Sequence, residues 1–176
     1  MQLLQTLSSA SYVELSNFKA LSDAPVVELV TRHGQDLTSI CLDFTRITDV
    51  SLDLLATCTP HLKQLSIKAC RNVTDKGLMI IGKSKALEAI NCSYANGVSD
   101  EVVASLCSHH SLKTAILNNA SITDKGMAAL ASCSLLEEFS VLGAKSITSE
   151  GVRSVGCGCP LLRHACLAWC EQISDG

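Results

Sequence analysis

The chain has 176 residues, 47% of them hydrophobic, and a formal net charge of -3. That apolar share is ample for one continuous core, and near-neutrality argues against a general affinity for nucleic acid or anionic lipid. No basic-then-apolar leader opens the chain and no apolar run approaches the ~18 residues of a membrane span, so a cytoplasmic or nuclear setting is expected.

In chain order, Met1 to Leu7 reads as a short helical piece with Leu3, Leu4 and Leu7 on one side. Val13 and Leu15 then alternate as in a strand, Phe18 takes a small-residue slot, and Leu21-Ser22-Asp23 starts a helix. Pro25 falls in its first turn, where a missing N–H costs nothing. Residues 1–36 are expected to form a divergent capping repeat.

From residue 37 a unit recurs. Leu37, Leu62, Leu87, Leu112, Leu136 and Leu162 open successive copies at spacings of 25, 25, 25, 24 and 26 residues. Each continues in the frame L-x-x-L-x-L, as with Leu62, Leu65 and Ile67. A small slot follows, filled by Thr45, Cys70, Ala95, Ala120, Ala144 and Cys170. An aliphatic, a hydroxyl and an acid come next, as in Val73-Thr74-Asp75; the copy at Ile147-Thr148-Ser149 departs from this. The hydroxyl can accept from an orphan amide of the first helical turn, and the acid sits at the positive end of the helix dipole. Gly77, Gly126 and Gly151 share one place early in the helix, where close backbone packing is expected. A strand plus a short helix in about 25 residues cannot bury its own faces, so copies must stack.

These repeats resemble the cysteine-containing class of leucine-rich repeat, found in F-box/leucine-rich-repeat proteins, over nearly the whole chain. The resemblance implies a ribonuclease-inhibitor-like α/β solenoid of about six to seven repeats. A parallel sheet lines its concave face and helices its convex face. Residues 37–176 form the repeats, the last incomplete, and the end at Gly176 is expected to be covered by a partner or by further repeats. The ten cysteines mostly occupy repeat positions, and free Cys packs as a compact hydrophobe, so a reducing compartment is favoured over a disulfide framework.

The non-leucine positions of each strand face outward and fall into columns. One column is Tyr12, Ser39, Gln64, Ala89, Thr114, Glu138 and His164; the next is Glu14, Cys41, Ser66, Asn91, Ile116, Ser140 and Cys166. Beyond the strand come Ser16, Asp43, Lys68, Ser93, Asn118, Leu142 and Ala168. The last column, Asn17, Phe44, Ala69, Tyr94, Asn119, Gly143 and Trp169, holds three of the chain's few aromatics. Aromatics are enriched in binding hot spots, although each could instead pack over a neighbouring loop. The expected partner-binding set is Asp43, Phe44, Gln64, Ser66, Lys68, Asn91, Tyr94, Asn118, Glu138 and Trp169.

Two chemical alternatives carry less weight. Cys157, Cys159, His164, Cys166 and Cys170 include zinc-type ligands at short spacing, but several have repeat-position explanations. His164, Cys166 and Glu138 can be written as a Cys-His-Glu set, yet a solenoid wall rarely encloses a dry pocket. The expectation is a non-enzyme without metal or cofactor that binds other proteins, with no nucleic-acid or membrane partner. Its sharpest form, implied by the resemblance, is substrate recognition for a cullin-type ubiquitin ligase, though no F-box segment is visible in residues 1–36. The alternative is an architectural subunit of a large stable assembly, axonemal (hence ciliary) or organellar.

Overall fold

A computed structural model describes residues 11–174. The expected helix over Met1 to Leu7 and the acid Asp175 lie outside that range. Strands and helices alternate: β1 (Tyr12–Glu14), α1 (Asp23–His33), β2 (Ser39–Cys41), α2 (Asp49–Cys58), β3 (Gln64–Ser66), α3 (Asp75–Ile81) and β4 (Ala89–Asn91). They continue with α4 (Asp100–Cys107), β5 (Thr114–Ile116), α5 (Asp124–Leu130), β6 (Glu138–Ser140), α6 (Ser149–Gly158) and β7 (His164–Cys166). The strands form one parallel sheet in sequence order, β1 to β7. Each is only three residues long, but the ladder runs on past it. Leu42 N–H donates to the Ser66 carbonyl at 2.8 Å and Phe44 N–H to that of Lys68 at 2.8 Å, and the pattern recurs in each repeat through β6.

The register is uniform. Val13, Ile40, Leu65, Ile90, Ala115, Phe139 and Ala165 are successive partners, so the apolar member of each strand stacks on its counterpart. The openers Leu37, Leu62, Leu87, Leu112 and Leu136 are buried, as are Leu42, Ile67, Cys92, Leu117 and Val141. Burying each Leu or Ile contributes about 1.5–3 kcal/mol, and the stack makes one core of these thin layers. In β7, which has a neighbour on one side only among the described residues, Ala165 is exposed.

The small slot turns back against the strand. Thr45 Oγ1 donates to the Leu42 carbonyl at 2.6 Å, and Cys70 Sγ to the same carbonyl at 3.0 Å. Phe18 does not occupy it: the ring is 52% exposed. A slot this close to backbone has no room for a benzyl group, which swings out to solvent.

The helix starts hold a second ladder. Thr48, Thr74, Thr123 and Thr148 each accept from the amide two residues on, as N-caps do. The acid that follows each hydroxyl reaches across to the next repeat. Asp23 accepts from Thr48 N–H and Oγ1, both at 2.8 Å, Asp49 from Thr74 at 2.8 and 2.6 Å, Asp100 from Thr123 at 2.8 and 2.7 Å, and Asp124 from Thr148 at 2.9 and 2.7 Å. This explains the shared glycines more closely than backbone packing does. A Cβ on Gly77, Gly126 or Gly151 would stand 2.3–2.6 Å from the arriving carboxylate oxygen of Asp49, Asp100 or Asp124. In α2 the same place is Ser51, whose Oγ donates to Asp23 at 2.6 Å.

One rung is missing. In α4 the corresponding residue is Val102, fully buried, and Asp75 is exposed, making no such bond to Ser99. The β-branched side chain fills the volume a carboxylate would need. Where the acid itself is replaced, at Ser149, the rung survives in neutral form: Ser149 Oγ donates to the Ser174 carbonyl at 2.7 Å and accepts its N–H at 3.1 Å.

Two outcomes follow. Gly126→Val expels the Asp100 carboxylate from three bonds, those from Thr123 N–H, Thr123 Oγ1 and Gly126 N–H. It is expected to cost about 3 kcal/mol in urea unfolding, while Val102→Ile changes stability far less. Burial raises the Asp23 pKa, but hydrogen bonds from Ser51 and Thr48 outweigh it and hold the carboxyl below its ordinary 3.8. A depressed folded pKa gives stability that is present above the unfolded value and lost as pH falls through the folded one. Asp23→Asn should therefore flatten the dependence of the melting temperature on pH between about 5 and 2, roughly the carboxylate range, relative to the parent chain.

Candidate interaction surface

The outward columns stand where the spacing places them. Tyr12, Ser39, Gln64, Ala89, Thr114, Glu138 and His164 are successive partners, and so are Glu14, Cys41, Ser66, Asn91, Ile116, Ser140 and Cys166. Over β1 to β5 they line a shallow groove of about 390 Å³ that includes Gln64, Ser66 and Asn91. Gln64 and Glu138 are exposed; Ser66, Lys68 and Asn91 are half-buried.

Some of these polar groups are already engaged. Asp43 Oδ1 accepts from Ser66 Oγ at 2.6 Å and from Lys68 N–H at 2.8 Å. Asn118 Oδ1 accepts from Ser140 Oγ at 2.5 Å and from Leu142 N–H at 2.9 Å. Asn91 Oδ1 accepts from Ser93 N–H at 3.1 Å. These side chains cap amides where the sheet ends, and Gln64 Oε1 accepts from Ser39 Oγ at 3.2 Å, which leaves Glu138 and the aromatics as the freest groups of the set. Asp43 and Asn118 keep only their second carboxylate or amide atoms for a partner.

The last column has a backbone signature. Asn17, Phe44, Ala69, Tyr94, Asn119, Gly143 and Trp169 all have positive φ, between 58° and 78°. The strand must leave the sheet through a left-handed residue so that its next side chain can enter the small slot. Asn and Gly take that conformation readily; a bulky side chain costs about 1–2 kcal/mol there. Phe44, Tyr94 and Trp169 nevertheless hold it while 42%, 45% and 77% exposed. Their rings recover little by burial, beyond Lys68 Nζ lying 5.6 Å from the centroid of Phe44.

A further column escaped the sequence reading. Lys63, Glu88, Lys113, Glu137 and Arg163 stand one residue before the strands and alternate in sign. Glu88 bridges Lys63 at 3.0 Å and Lys113 at 2.7 Å. Hydrogen bonds from Lys113 and Lys63 hold the Glu88 carboxyl below the usual range. The strictly alternating charges were the signal that could have revealed it.

Elsewhere, Glu138 and His164 are register partners and His164 and Cys166 are exposed. The described residues hold no cluster of three metal-type ligands. Burial pushes the Cys41 thiol up to about 11, so this wall cysteine stays protonated at neutral pH. All ten cysteines are free thiols. Among the described residues no helix is long and apolar enough to cross a membrane.

Strand-loop-helix units on one parallel sheet, with the L-x-x-L-x-L apolar row inward, make this a leucine-rich-repeat type of α/β solenoid. No family model and no curated protein matches the chain. Solved structures do match. One chain, from the crystal structure of the Rad7 and Elc1 complex in yeast, is similar with a TM-score of 0.80 at 17% identity. The likeness covers 88% of this chain and 41% of that one, so this chain spans less than half of its neighbour's length, and it establishes the fold.

The left-handed aromatics give a direct test. Tyr94→Asn is expected to leave the fold intact and to raise stability by about 1 kcal/mol, read as a higher urea midpoint at unchanged slope. A drop of similar size would mean that the ring packs usefully onto its neighbours.

Proposed function

We propose that the chain is a non-catalytic recognition module that binds another protein on the outward strand face and its aromatic edge. One observation carries this reading: three exposed aromatic rings occupy left-handed positions where stability alone favours Asn or Gly. Residues kept against local stability are expected where function requires them. The contact set is Asp43, Phe44, Gln64, Ser66, Lys68, Asn91, Tyr94, Asn118, Glu138 and Trp169. Phe44, Gln64, Tyr94, Glu138 and Trp169 form its accessible part, and the setting is the cytoplasm or nucleus.

The finer reading is the substrate-recognition part of a cullin-type ubiquitin ligase. It is supported by the resemblance of the cysteine-containing repeats to those of F-box/leucine-rich-repeat proteins. The fold likeness to a chain from a two-protein complex, Rad7 with Elc1, agrees with a role in assembly with other proteins.

Affinity capture from native extract, with the parent chain and a Tyr94→Asn/Trp169→Asn variant side by side, tests both levels. The expected result is a set of proteins held by the parent and lost by the folded variant, with a cullin and its adaptor among them. Capture that is indifferent to both aromatics removes the wall as the contact surface. A fixed set of structural proteins at equal stoichiometry replaces the ligase reading with that of an architectural subunit.

A further inference from the structure

The two ends of the strands treat charge in opposite ways. On the side where the chain enters the sheet, the column through Lys63, Glu88 and Lys113 interleaves signs and neutralises itself through ion pairs. On the side where it leaves, two residues past each left-handed position, the first three repeats carry Lys19, Arg46 and Arg71. With Phe44 and Ala69 these three line a hollow of about 530 Å³. Lys68 packs over one of the lining residues, its Nζ 5.6 Å from the Phe44 ring centroid. Among the described residues none of these four cations is in an ion pair.

The hollow is held from both sides. Arg46 N–H donates to the Leu21 carbonyl at 2.8 Å, and Asn72 Nδ2 donates to the Arg46 carbonyl at 3.5 Å. Asn96 Nδ2 donates to the Arg71 carbonyl at 2.6 Å. Each arginine backbone is thus tied down by the following repeat while its guanidinium is left exposed. Neighbouring strands lie about 4.8 Å apart, so these like charges repel unless an anion sits among them. Guanidinium forks match carboxylate and phosphate oxygens, and the Phe44 face beside them suits an apolar neighbour.

We propose that the hollow between Lys19, Phe44, Arg46, Ala69 and Arg71 seats an acidic side chain of a bound peptide segment. The inference rests on the recognition-module reading and adds the chemistry of the partner: a segment with a carboxylate or phosphate group next to an apolar residue. A peptide fits better than a nucleic acid because the cations are confined to one corner of a chain whose net charge is -3. A backbone of regularly spaced phosphates would need a continuous basic track, and the same column is broken by neutral Asn96 and Ser121 before Lys145 and ends on the acidic Glu171.

The test is fluorescence anisotropy of the full chain with a fluorescein-labelled deca-glutamate peptide, compared with a ten-nucleotide single-stranded DNA. Saturable peptide binding that weakens by about tenfold in Arg46→Gln/Arg71→Gln and falls with added salt is the expected result. Arg153→Gln, an exposed cation on α6, should leave it unchanged. Circular dichroism melts confirm the fold, and Lys19→Gln provides a second reading if the double variant melts early. Equal binding by a folded double variant, no saturable binding, or tighter binding of the DNA overturns the proposal. The two readings fail separately: capture that depends on Tyr94 and Trp169 but not on Arg46 and Arg71 keeps the module and removes the acidic-peptide seat.

Discussion

The uniform register of the parallel sheet is the constraint on which everything else depends. Each strand contributes three residues, too few to persist alone, and is fixed only by its neighbour's carbonyls and amides. A slip of one residue would turn Ile40 or Leu65 outward and Cys41 or Ser66 inward. The buried column from Val13 to Phe139 forbids that, and because it does, every other position also repeats at fixed height. Side chains separated by about 25 residues then become nearest neighbours. The Asp-to-Thr bonds between helices, the Glu88 bridges and the Asp43 and Asn118 caps all use that proximity.

The outward columns, the apolar row and the helix starts were legible in the sequence because each follows directly from the repeat period. What it did not disclose follows from contacts between repeats. The carboxylate rungs were hidden because Thr-Asp has a sufficient local explanation as a helix start. Gly77, Gly126 and Gly151, replaced by Ser51 in α2 and by Val102 in α4, were the clue that something larger than backbone approaches. Spacing alone puts Phe18 in the small slot, but its ring is too large for the room there and is exposed.

The left-handed column is a mixed case. Its aromatics were visible as a row, but not the conformation that gives the row its meaning. Asn17, Asn119 and Gly143 in the same column are the residues that favour positive φ, and they mark the turn for the others. Sequence can show that Phe44, Tyr94 and Trp169 align; only geometry shows that they do so at a cost. Likewise Asp43, Lys68 and Asn118 read as equal members of a polar wall. In the structure Asp43 and Asn118 terminate the sheet while Lys68 covers an aromatic face.

The absent rung at Val102 gives the helical side a seam. To one side Asp23 and Asp49 tie α1, α2 and α3 into one stack; to the other Asp100 and Asp124 tie α4, α5 and α6 into a second. Across the seam the sheet remains continuous through β3, β4 and β5, and Ser105 Oγ still donates to the Met79 carbonyl at 3.0 Å. In a one-dimensional array the weakest interface sets where cooperativity divides. The carboxylate ladder of the helical side is therefore divided into two halves, while the core and the sheet run through both. Across that joint the helices are held by buried side chains such as Leu78, Ile81 and Val102 instead of by carboxylate bonds, so apart from the Ser105 bond apolar packing carries the helical layer there.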